Sequence, residues 1–479
     1  MRSNWFWGLL GSALWCLRLG AQDNHYETVP IGTVNALLYG SALSERVDRS
    51  AVVINPATLA FPGEQGSGIS FNGLTFNYNF IDFQDALGPG RDIGVQLVNT
   101  LPGILAGDVQ TPLFGKRQAF GYALYQRGIG RIIYSGLSNT ILDDGEGGEL
   151  IGRYSLLSDL RETVGVFGSG YRISEHWGLG FSIFGIYRNH LFVESGQFDY
   201  RQDDTLASFN AYSGIERDVK ILQASVQLKG GVNWKNDPWS AGLTVTLPGI
   251  SVYRDGKMGY ERREWIQESG SGSNFLVSAL EDDLNPRYRY PWSVALGVSR
   301  SAPQWRVSLA LHYESALDPY VIIPEVQPDI VRNQGSTSDF EPGETEVWGA
   351  NRSVLNWSLS VSRTLSDDLQ LLASVRSNLA FAYGNGSSRG FRLERMNWNM
   401  YHLNLGAHYE WRNTEWIFGT QLSYGGRTTA PPHDDSDPLD LFAFLRNLTA
   451  QGEVHQYGAA LIVSFAINFE SDKPLRPNR

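Results

Sequence analysis

The stretch Tyr457–Phe469, YGAALIVSFAINF, decides the fold, because its residues alternate strictly between two kinds. Tyr457, Leu461 and Phe465 fall on one apolar face, while small or polar residues such as Ser464 fall on the other. Successive side chains of a β-strand point to opposite faces of a sheet, so this period of two predicts a strand with one apolar side. The run is also roughly twice as long as the average strand of a soluble protein.

The same alternation recurs along most of the chain. Between Leu222 and Trp234, for example, the even positions are mainly apolar and the odd positions are mainly polar or small. We predict fourteen strands from this pattern, at about 67–80, 117–126, 129–140, 149–172, 176–198, 217–234, 239–261, 287–300, 304–321, 353–365, 367–383, 397–411, 414–426 and 454–469.

The connections between these strands alternate between tight turns and long polar loops. Tight turns are predicted near 127–128, 174–175, 235–238, 301–303, 366–367 and 412–414. Long loops are predicted at 81–116, 141–148, 199–216, 263–286, 322–352, 384–396 and 427–453. Short turns at one end and long loops at the other are typical of outer-membrane barrels, and an even strand count places both ends of the barrel on the short-turn, periplasmic side.

Tryptophans beside the tight turns support the barrel over a soluble β-sandwich. A ring of aromatic residues is expected at a membrane interface, whereas the core tryptophans of a sandwich would not cluster at strand ends. We therefore predict an all-β fold, a 14-stranded antiparallel transmembrane β-barrel with a small, partly helical N-terminal plug in the lumen. The tryptophans are Trp177, Trp234, Trp239, Trp305, Trp411 and Trp416.

The first residues of the chain predict a secretory signal peptide over residues 1–21. Arg2 precedes the apolar stretch Trp5–Leu17, and Leu19-Gly20-Ala21 offers a small-residue cleavage site. Cys16, the one cysteine of the 479 residues, lies within this peptide, so the mature chain is expected to have no thiol. The formal net charge of −11 argues against a nucleic-acid partner.

The segment before the first strand differs from everything that follows it. Thr28–Pro62 is rich in small residues, has helix-like apolar spacing and contains an Asn-Pro breaker. We predict that residues 22–66 form the plug, that residues 67–469 form the transmembrane barrel, and that residues 470–479 form a periplasmic tail.

Three runs within this segment carry a family resemblance. Tyr39–Ala42, Asp48–Ala51 and Asn55–Ala60 resemble the N-terminal hatch of FadL-type outer-membrane transport proteins, which include long-chain fatty-acid and TodX-like aromatic-hydrocarbon transporters. The resemblance implies a plugged fourteen-stranded barrel that passes hydrophobic molecules across the bacterial outer membrane by diffusion. One departure is the tail Glu470–Arg479, because barrels of this family usually end at or near a terminal aromatic residue.

Two predicted loops carry apolar stripes that could collect such a ligand. After Asp92, a candidate helix N-cap, Ile93, Leu97 and Leu101 recur at helical spacing. A second stripe follows Asp437-Pro438. An equally open alternative is that both helices only pack on the barrel rim. The second stripe consists of Leu441, Phe442 and Leu445.

Other candidate residues lie inside the predicted barrel. Lys229, Arg306 and Arg376 face inward by strand parity and could meet a ligand carboxylate, or could pair with acidic groups of the plug. We expect the motif Asn55-Pro56-Ala57 to shape the plug, since proline fixes the backbone and the neighbouring Asn can cap a turn. Movement of this motif would then gate the pore.

The expected partners are outer-membrane lipid, lipopolysaccharide and a hydrophobic small molecule, with no cofactor, no metal and no nucleic acid, and a monomer is expected. The inward histidines His312, His402 and His408 are interpreted as solvated lumenal residues. An enzyme is not predicted, because His402 and His408 face the lumen by strand parity, whereas a lipid-hydrolysing barrel needs its Ser and His on an outward face near the rim. The alternative functions are a scaffold barrel that serves protein secretion or surface attachment and, less favoured, a general porin.

Overall fold

The computed structural model describes residues 25–26, 30–61, 67–84, 93–101, 103–110, 118–141, 149–203, 208–268, 271–333, 339–340, 343–381, 390–393, 398–428 and 453–469. Within these ranges, no helix is both long enough and apolar enough to cross a membrane. The predicted signal peptide, the tail and the loop stripe with Leu441, Phe442 and Leu445 lie outside the described residues.

Strands dominate the described part of the chain. They are β1 Gly68–Phe83, β2 Ile93–Leu101, β3 Ile104–Gln110, β4 Gln118–Ile141, β5 Glu149–Arg172, β6 Trp177–Asp203, β7 Ser208–Asn236, β8 Trp239–Thr246, β9 Ile250–Glu268, β10 Ser271–Leu284, β11 Ser293–Ser301, β12 Trp305–Glu314, β13 Leu317–Ile323, β14 Asp329–Arg332, β15 Val347–Asn351, β16 Val354–Ser366, β17 Leu369–Asn378, β18 Asn399–Trp411, β19 Thr414–Thr428 and β20 Glu453–Asn468.

The wall is a closed antiparallel barrel with fourteen strand positions. Closure is made by β1 and β20, which pair from Gly68↔Asn468 to Phe83↔Val454. Four positions consist of two strands in line, namely β2 with β3, β8 with β9, β10 with β11, and β12 with β14. Closure leaves no unpaired sheet edge at the seam, which a barrel in lipid requires.

The predicted strand number is confirmed, but two of its contributing strands were assigned wrongly. β2 and β3 occupy the predicted loop 81–116, so Ile93, Leu97 and Leu101 lie on a strand and the helix predicted there is wrong. The predicted turn at Arg127-Gly128 is also wrong, because β4 runs through it with only a register shift between Arg127 and Gly130. The strand position formed by β2 and β3 was missed, and β4 was counted as two strands. These two errors cancel, so the predicted total of fourteen is right.

The wall is tall on one side and short on the other. β6 and β7 have 27 and 29 residues, whereas β12 and β17 have 10 each. The long loops predicted at 199–216 and 263–286 are largely wrong, because β6, β7, β9 and β10 extend through most of these ranges. In barrels of this type the ends with longer connections face outside, so the tall wall rises on the outer side.

The outward face of the wall carries the apolar belt expected of a lipid-exposed barrel. Leu243, Leu296, Leu309, Leu359 and Leu405 are between 42% and 51% exposed. Exposed aromatic side chains form a row near the short turns (Trp177, Trp239, Trp305, Trp411, Trp416) and another farther up the wall (Trp357, Tyr401, Tyr424, Tyr457). Together with the closed wall, these rows identify an outer-membrane type of transmembrane β-barrel.

The N-terminal segment Pro30–Phe61 lies inside the barrel. It contains 3-10 turns at Ser41–Leu43 and Pro56–Ala60 and a one-turn α-helix at Ala51–Ile54. Inward glycines of the wall make room for it, since a Cβ on Gly180 would collide with the backbone of the Pro56–Ala60 turn, and a Cβ on Gly242 with the carbonyl of Leu43. The sequence thus places its smallest residues where wall and segment meet.

Candidate functional site: an internal cavity

A cavity of about 160 Å³ lies in the lumen between the wall and the N-terminal segment. The segment contributes apolar and aromatic side chains, including Tyr39, Leu43 and Ile54. The wall contributes both aromatic and charged side chains, chiefly from β4 to β7, from β12 and from the connection between β10 and β11. The cavity is therefore amphipathic.

The aromatic part depends on a local departure from the sheet. Between the β9–β10 ladder, which ends at Gly256↔Leu284, and the β8–β11 ladder, which begins at Thr246↔Ser293, the connection 285–292 has no ladder partner. The Gln223 side chain holds this connection instead, accepting from the Tyr288 amide and donating to the Tyr288 carbonyl, both at 2.9 Å.

Two tyrosines of this connection line the cavity. The rings of Tyr288 and Tyr290 meet edge to face with their centroids 5.3 Å apart. Both side chains are less than 10% exposed, and Phe184 and Tyr125 complete the aromatic lining from the wall. Aromatic pairs in this geometry are favourable and rigid, so the connection presents a preformed surface for an apolar or aromatic ligand.

A buried carboxylate forms the centre of the charged part. Glu162 accepts hydrogen bonds from Arg188 at 2.9 Å, from the Tyr290 hydroxyl at 2.7 Å and from Arg127 Nε at 3.1 Å. Arg188 also stacks on the Tyr288 ring, with its guanidinium carbon 3.5 Å from the ring centroid. One carboxylate thus serves two guanidinium groups, and the tyrosines bind the same cluster.

Lys229 supplies a third cation on the same side of the cavity. Its Nζ donates to the carbonyl oxygen of Val53 at 2.7 Å and lies 5.2 Å from the centroid of the Phe184 ring. The ammonium group therefore joins the wall to the N-terminal segment. Lys229 is the one of the three predicted lumenal cations that lines the cavity.

The other two predicted cations contact the N-terminal segment. Arg306 forms an ion pair with Glu45 at 2.8 Å, so the predicted alternative of pairing with an acidic group of the segment is observed. Arg376 is buried, with its guanidinium carbon 4.3 Å from the centroid of the Tyr39 ring. Neither residue lines the cavity.

The first described residues of the chain reach the opposite side of the cavity. His25 Nε2 donates to the Trp398 carbonyl oxygen at 3.0 Å, and Tyr26 accepts a hydrogen bond from Asn351 at 2.8 Å. Burial, together with the charge of Arg376, lowers the pKa of His25 to about 4, although the hydrogen bond to Trp398 acts in the opposite direction. Because burial disfavours a charged imidazolium, His25 is neutral in this position at neutral pH.

The N-terminal segment is organised around Asp48. This carboxylate accepts backbone hydrogen bonds from Thr33, Asn35 and Ser50, each at 2.8 Å. It also accepts from the Ser50 hydroxyl. A carboxylate with several amide donors is a strong local organiser, since charge-assisted hydrogen bonds are about twice as strong as neutral ones.

The motif Asn55-Pro56-Ala57 lies at the base of this segment. The Asn55 side chain caps the following 3-10 turn by accepting from the Ala57 amide at 3.0 Å, and it donates to the Leu43 carbonyl at 2.6 Å. Its Nδ2 also lies 3.4 Å from the Val232 carbonyl of the wall. Asn55 thus caps the turn that follows it, and none of the three residues lines the cavity. Whether the motif gates the pore stays a prediction.

Small polar side chains of the wall hold the segment by its backbone. Ser182 donates to the Val52 carbonyl and Asn233 to the Ser44 carbonyl, each at 2.7 Å, and Ser374 donates to the Leu37 carbonyl at 2.6 Å. A direct side-chain contact joins Ser44 to Ser299, whose hydroxyl oxygens are 2.5 Å apart. Arg46 and Arg49 both pair with Asp108, the Nε of Arg49 at 2.9 Å.

A second inward element, the outer cap, lies on the outer side of the cavity. It consists of residues 317–326 and 343–351, in which β13 and β15 pair with each other and not with the wall. Glu344 joins it to the tall wall by accepting from the Tyr260 hydroxyl and from Arg262. Ile322, Ile323 and Val347 of the cap are fully or almost fully buried.

The described residues contain no group of three His, Cys, Asp or Glu side chains that could hold a metal ion. His312 lies beside Glu314 at 3.3 Å, and His402 lies beside Ser423 at 2.7 Å. These inward histidines therefore belong to separate polar contacts of the lumen.

Four residues of the cavity are not among those predicted from the sequence, namely Glu162, Arg188, Tyr288 and Tyr290. The pattern Arg287-Tyr288-Arg289-Tyr290-Pro291 was available as a signal, because alternating cations and aromatic residues before a proline are unusual for a lipid-facing strand. Their convergence depends on the inward path of 285–292, which strand parity does not encode.

The comparisons with known proteins establish the fold. No family model matches the chain, and no curated protein matches it. The toluene transporter TodX of Pseudomonas putida is 13% identical, with a TM-score of 0.54, covering 94% of this chain and 100% of that chain. A FadL homologue of Pseudomonas aeruginosa is 13% identical, with a TM-score of 0.53, covering 93% and 100%. The chain therefore has the fold of FadL-type outer-membrane transporters.

Proposed function

We propose that this protein lets small hydrophobic molecules cross the bacterial outer membrane by passive diffusion. The observation that carries the proposal is the cavity in the lumen, in which aromatic and apolar side chains lie beside a few fixed charged groups. An apolar pocket with a few fixed polar groups is the usual form of a small-molecule site. Among solved structures of the same fold, one is described as a toluene transporter.

In this proposal the N-terminal segment is the plug that separates the cavity from the periplasm. It begins in the mature chain after signal peptide cleavage at residue 21 and ends where the barrel begins near residue 67. The buried positions of Val52, Ala57 and Leu59 support this assignment, since none is more than 1% exposed. Transport then requires the plug to move, with Asn55-Pro56-Ala57 transmitting the movement to the cavity.

A disulfide between plug and wall tests this requirement. Ser44→Cys with Ser299→Cys places two thiols where hydroxyl oxygens are 2.5 Å apart, and Cys16 is the only native cysteine. In cells that carry the oxidised variant in the outer membrane, we expect uptake of radiolabelled toluene to fall at least tenfold. Reduction of the disulfide is expected to restore uptake.

The matched control is a disulfide within the wall. Ser299→Cys with Ser308→Cys uses the same first position and a partner whose hydroxyl is 2.7 Å away, but it leaves the plug untethered. This control is expected to transport at the wild-type rate when oxidised. Equal uptake by the oxidised plug variant and the control would contradict the proposal, and a secreted protein that copurifies with the barrel would then favour the scaffold function.

A further inference from the structure

A groove marks the outside of the wall where the connection 285–292 turns inward. The first residues of β9 flank this connection, since the Gly249 amide donates to the Tyr290 carbonyl at 3.4 Å. Ile250 and Val252 in this part of β9 are 70% and 67% exposed, whereas the leucines of the apolar belt are between 42% and 51% exposed. Their larger exposure arises because the neighbouring strand position has left the wall beside them.

The connection presents two arginines to this groove. On β10 the even positions face outward, as Leu280 does, and the register between β9 and β10 shifts at Asp283, whose φ is 62°. The shift exchanges the two faces of the chain. Arg287 and Arg289 are therefore exposed, while the tyrosines that alternate with them line the cavity. Without the shift, the arginines would face the lumen.

The arginines lie above the upper row of exposed aromatic side chains. Trp292 is 43% exposed and packs on Tyr313, with the ring centroids 5.4 Å apart, on the part of β12 that pairs with β16 near Trp357 of that row. Arg289 and Arg287 precede Trp292 by three and five residues on a chain that descends from β10 to β11. Aromatic rows mark the membrane interface, so both arginines lie at the level of the lipid headgroups.

The protein gives these two guanidinium groups little compensation. Arg289 lies over the Tyr320 ring of the outer cap, with its guanidinium carbon 4.8 Å from the centroid. Within the described ranges, neither arginine forms an ion pair with a carboxylate. In contrast, Lys257 on the outward face of β9 pairs with Asp282 at 3.4 Å. The groove thus combines an apolar flank with cations that an anionic headgroup could compensate.

We propose that this groove binds lipid A, the phosphorylated glycolipid of the outer leaflet, with a phosphate on Arg287 and Arg289 and an acyl chain along Ile250 and Val252. A phosphate accepts charge-assisted hydrogen bonds from guanidinium groups, and an acyl chain covers apolar side chains that are more exposed than the rest of the belt. The headgroup level on the outer side of the wall favours lipid A, because lipopolysaccharide forms the outer leaflet. The site lies outside the barrel and is separate from the cavity of the proposed function.

Native mass spectrometry of the purified full-length protein in detergent, titrated with bisphosphorylated lipid A, tests the proposal. Arg287→Gln should weaken binding about fivefold, and the double variant with Arg289→Gln about twenty-fivefold, from the typical contribution of a basic residue near an anionic lipid. Fully dephosphorylated lipid A should bind the wild-type protein about twenty-fivefold more weakly than the phosphorylated form. The dephosphorylated lipid should not distinguish the variants from the wild type.

The matched control is Arg300→Gln, which removes an exposed arginine of β11 at the other end of the same strand position, where its guanidinium carbon lies 5.6 Å from the centroid of the Trp239 ring. Its affinity for lipid A should equal that of the wild type. The proposal is overturned if Arg287→Gln retains the wild-type affinity or if Arg300→Gln weakens binding equally. Equal binding of lipid A and phosphatidylglycerol would overturn the choice of lipid A.

The Arg287 variant is suited to this test, because its side chain forms no hydrogen bond, ion pair or ring contact within the described residues. The heat-modifiable electrophoretic mobility of the barrel checks that each variant is folded. The wild-type comparison of phosphorylated with dephosphorylated lipid A decides whether phosphate is recognised even if a variant does not fold, and equal affinities there would overturn the proposal.

Discussion

The two inward elements of the lumen are attached to the wall by different chemistry. The N-terminal segment is held mostly through its backbone, whose carbonyls accept from Ser182, Asn233 and Ser374. The outer cap is joined to the tall wall through one carboxylate, Glu344, which accepts from Tyr260 and Arg262. The attachment of the segment is therefore spread over neutral contacts and over the ion pairs of Arg46 and Arg49 with Asp108 and of Glu45 with Arg306, whereas the described charged attachment of the outer cap is concentrated at Glu344.

This difference shows how each element can be released. Loss of one neutral hydrogen bond costs about 0.5–1.5 kcal/mol, so loss of Ser182, Asn233 or Ser374 alone is not expected to free the N-terminal segment. The segment depends instead on its own internal fold, which Asp48 organises. The outer cap is more vulnerable to a single substitution, because one of its own side chains, Glu344, accepts the hydrogen bonds from both Tyr260 and Arg262 of the wall.

The largest effect is expected for Asp48→Asn. The amide nitrogen cannot accept the backbone hydrogen bonds that one carboxylate oxygen receives, so buried N–H groups of Thr33 and Asn35, or that of Ser50, lose their acceptor. We expect the segment to be destabilised by about 3 kcal/mol. Trypsin cleavage after Arg46 or Arg49 should then accelerate by roughly a hundredfold while the barrel stays intact.

The control for this substitution is Asp282→Asn, which changes an exposed carboxylate on the tall wall, paired with Lys257 at 3.4 Å. It should leave the cleavage rate unchanged. If trypsin cleaves the Asp48→Asn variant at the wild-type rate, the contacts with the wall alone hold the segment. The proposed difference between the two inward elements would then be wrong.

A smaller effect is expected for Glu344→Gln in the outer cap. The amide keeps one acceptor but loses the charge that Arg262 and Tyr260 contact, which should cost about 2 kcal/mol. Hydrogen exchange of the peptide that contains β15 should then accelerate by more than tenfold. Glu346→Gln is the matched control, because this neighbouring carboxylate accepts locally from the Trp348 indole at 2.7 Å. Equal exchange in both variants would assign the attachment to the apolar contacts of Ile322, Ile323 and Val347.

The smallest effect is expected for the pH dependence with which His25 and Tyr26, the residues before the N-terminal segment, stay bound in the lumen. The pKa of His25 is lowered to about 4 from its ordinary value of 6.5, so the bound state takes up fewer protons than the released state between these values. Binding of these residues is therefore fully stable above pH 6.5 and weakens as pH falls towards 4. Between pH 7.5 and 5.5 the loss should be about 1 kcal/mol.

Hydrogen exchange of the peptide that contains Tyr26, measured at both pH values and corrected for the intrinsic rate, checks this expectation. His25→Asn should remove the pH dependence. A wild-type protein whose corrected exchange is the same at pH 7.5 and pH 5.5 would show that His25 does not couple this contact to protons.

The parity of the strands could be predicted because lipid imposes it. Leu243 and Leu309 face the membrane and must be apolar, so alternation is visible wherever the wall crosses lipid. The upper part of the tall wall does not show this alternation of apolar and polar residues. On β9, outward Glu261 and Arg263 form an ion pair at 2.6 Å in a region that water can solvate on its outer face. A strand with polar residues on both faces has the same composition as a loop. For this reason a loop was predicted at 263–286, where β9 and β10 lie.

The site was less predictable than the wall. Lys229 was found from parity alone, because an inward position on a regular strand needs no long-range information. Glu162, Arg188 and Tyr290 meet only through the register of β5 with β6 and the inward path of the 285–292 connection. A sequence gives neither the register nor that path, since both depend on which side chains, such as Gln223, replace missing ladder hydrogen bonds.

The two heights of the wall also set how the chain tolerates substitution. A strand position of the tall wall, such as β8 with β9, passes from lipid to water along its length. An arginine at the level of Leu243 would cost about 2–4 kcal/mol, yet Arg263 stands on the outward face of the same strand position, 61% exposed at its side chain. Outward positions of equal parity therefore accept very different residues. Along β8 and β9, the outward face changes from one that requires apolar residues in lipid to one that accepts charged residues in water.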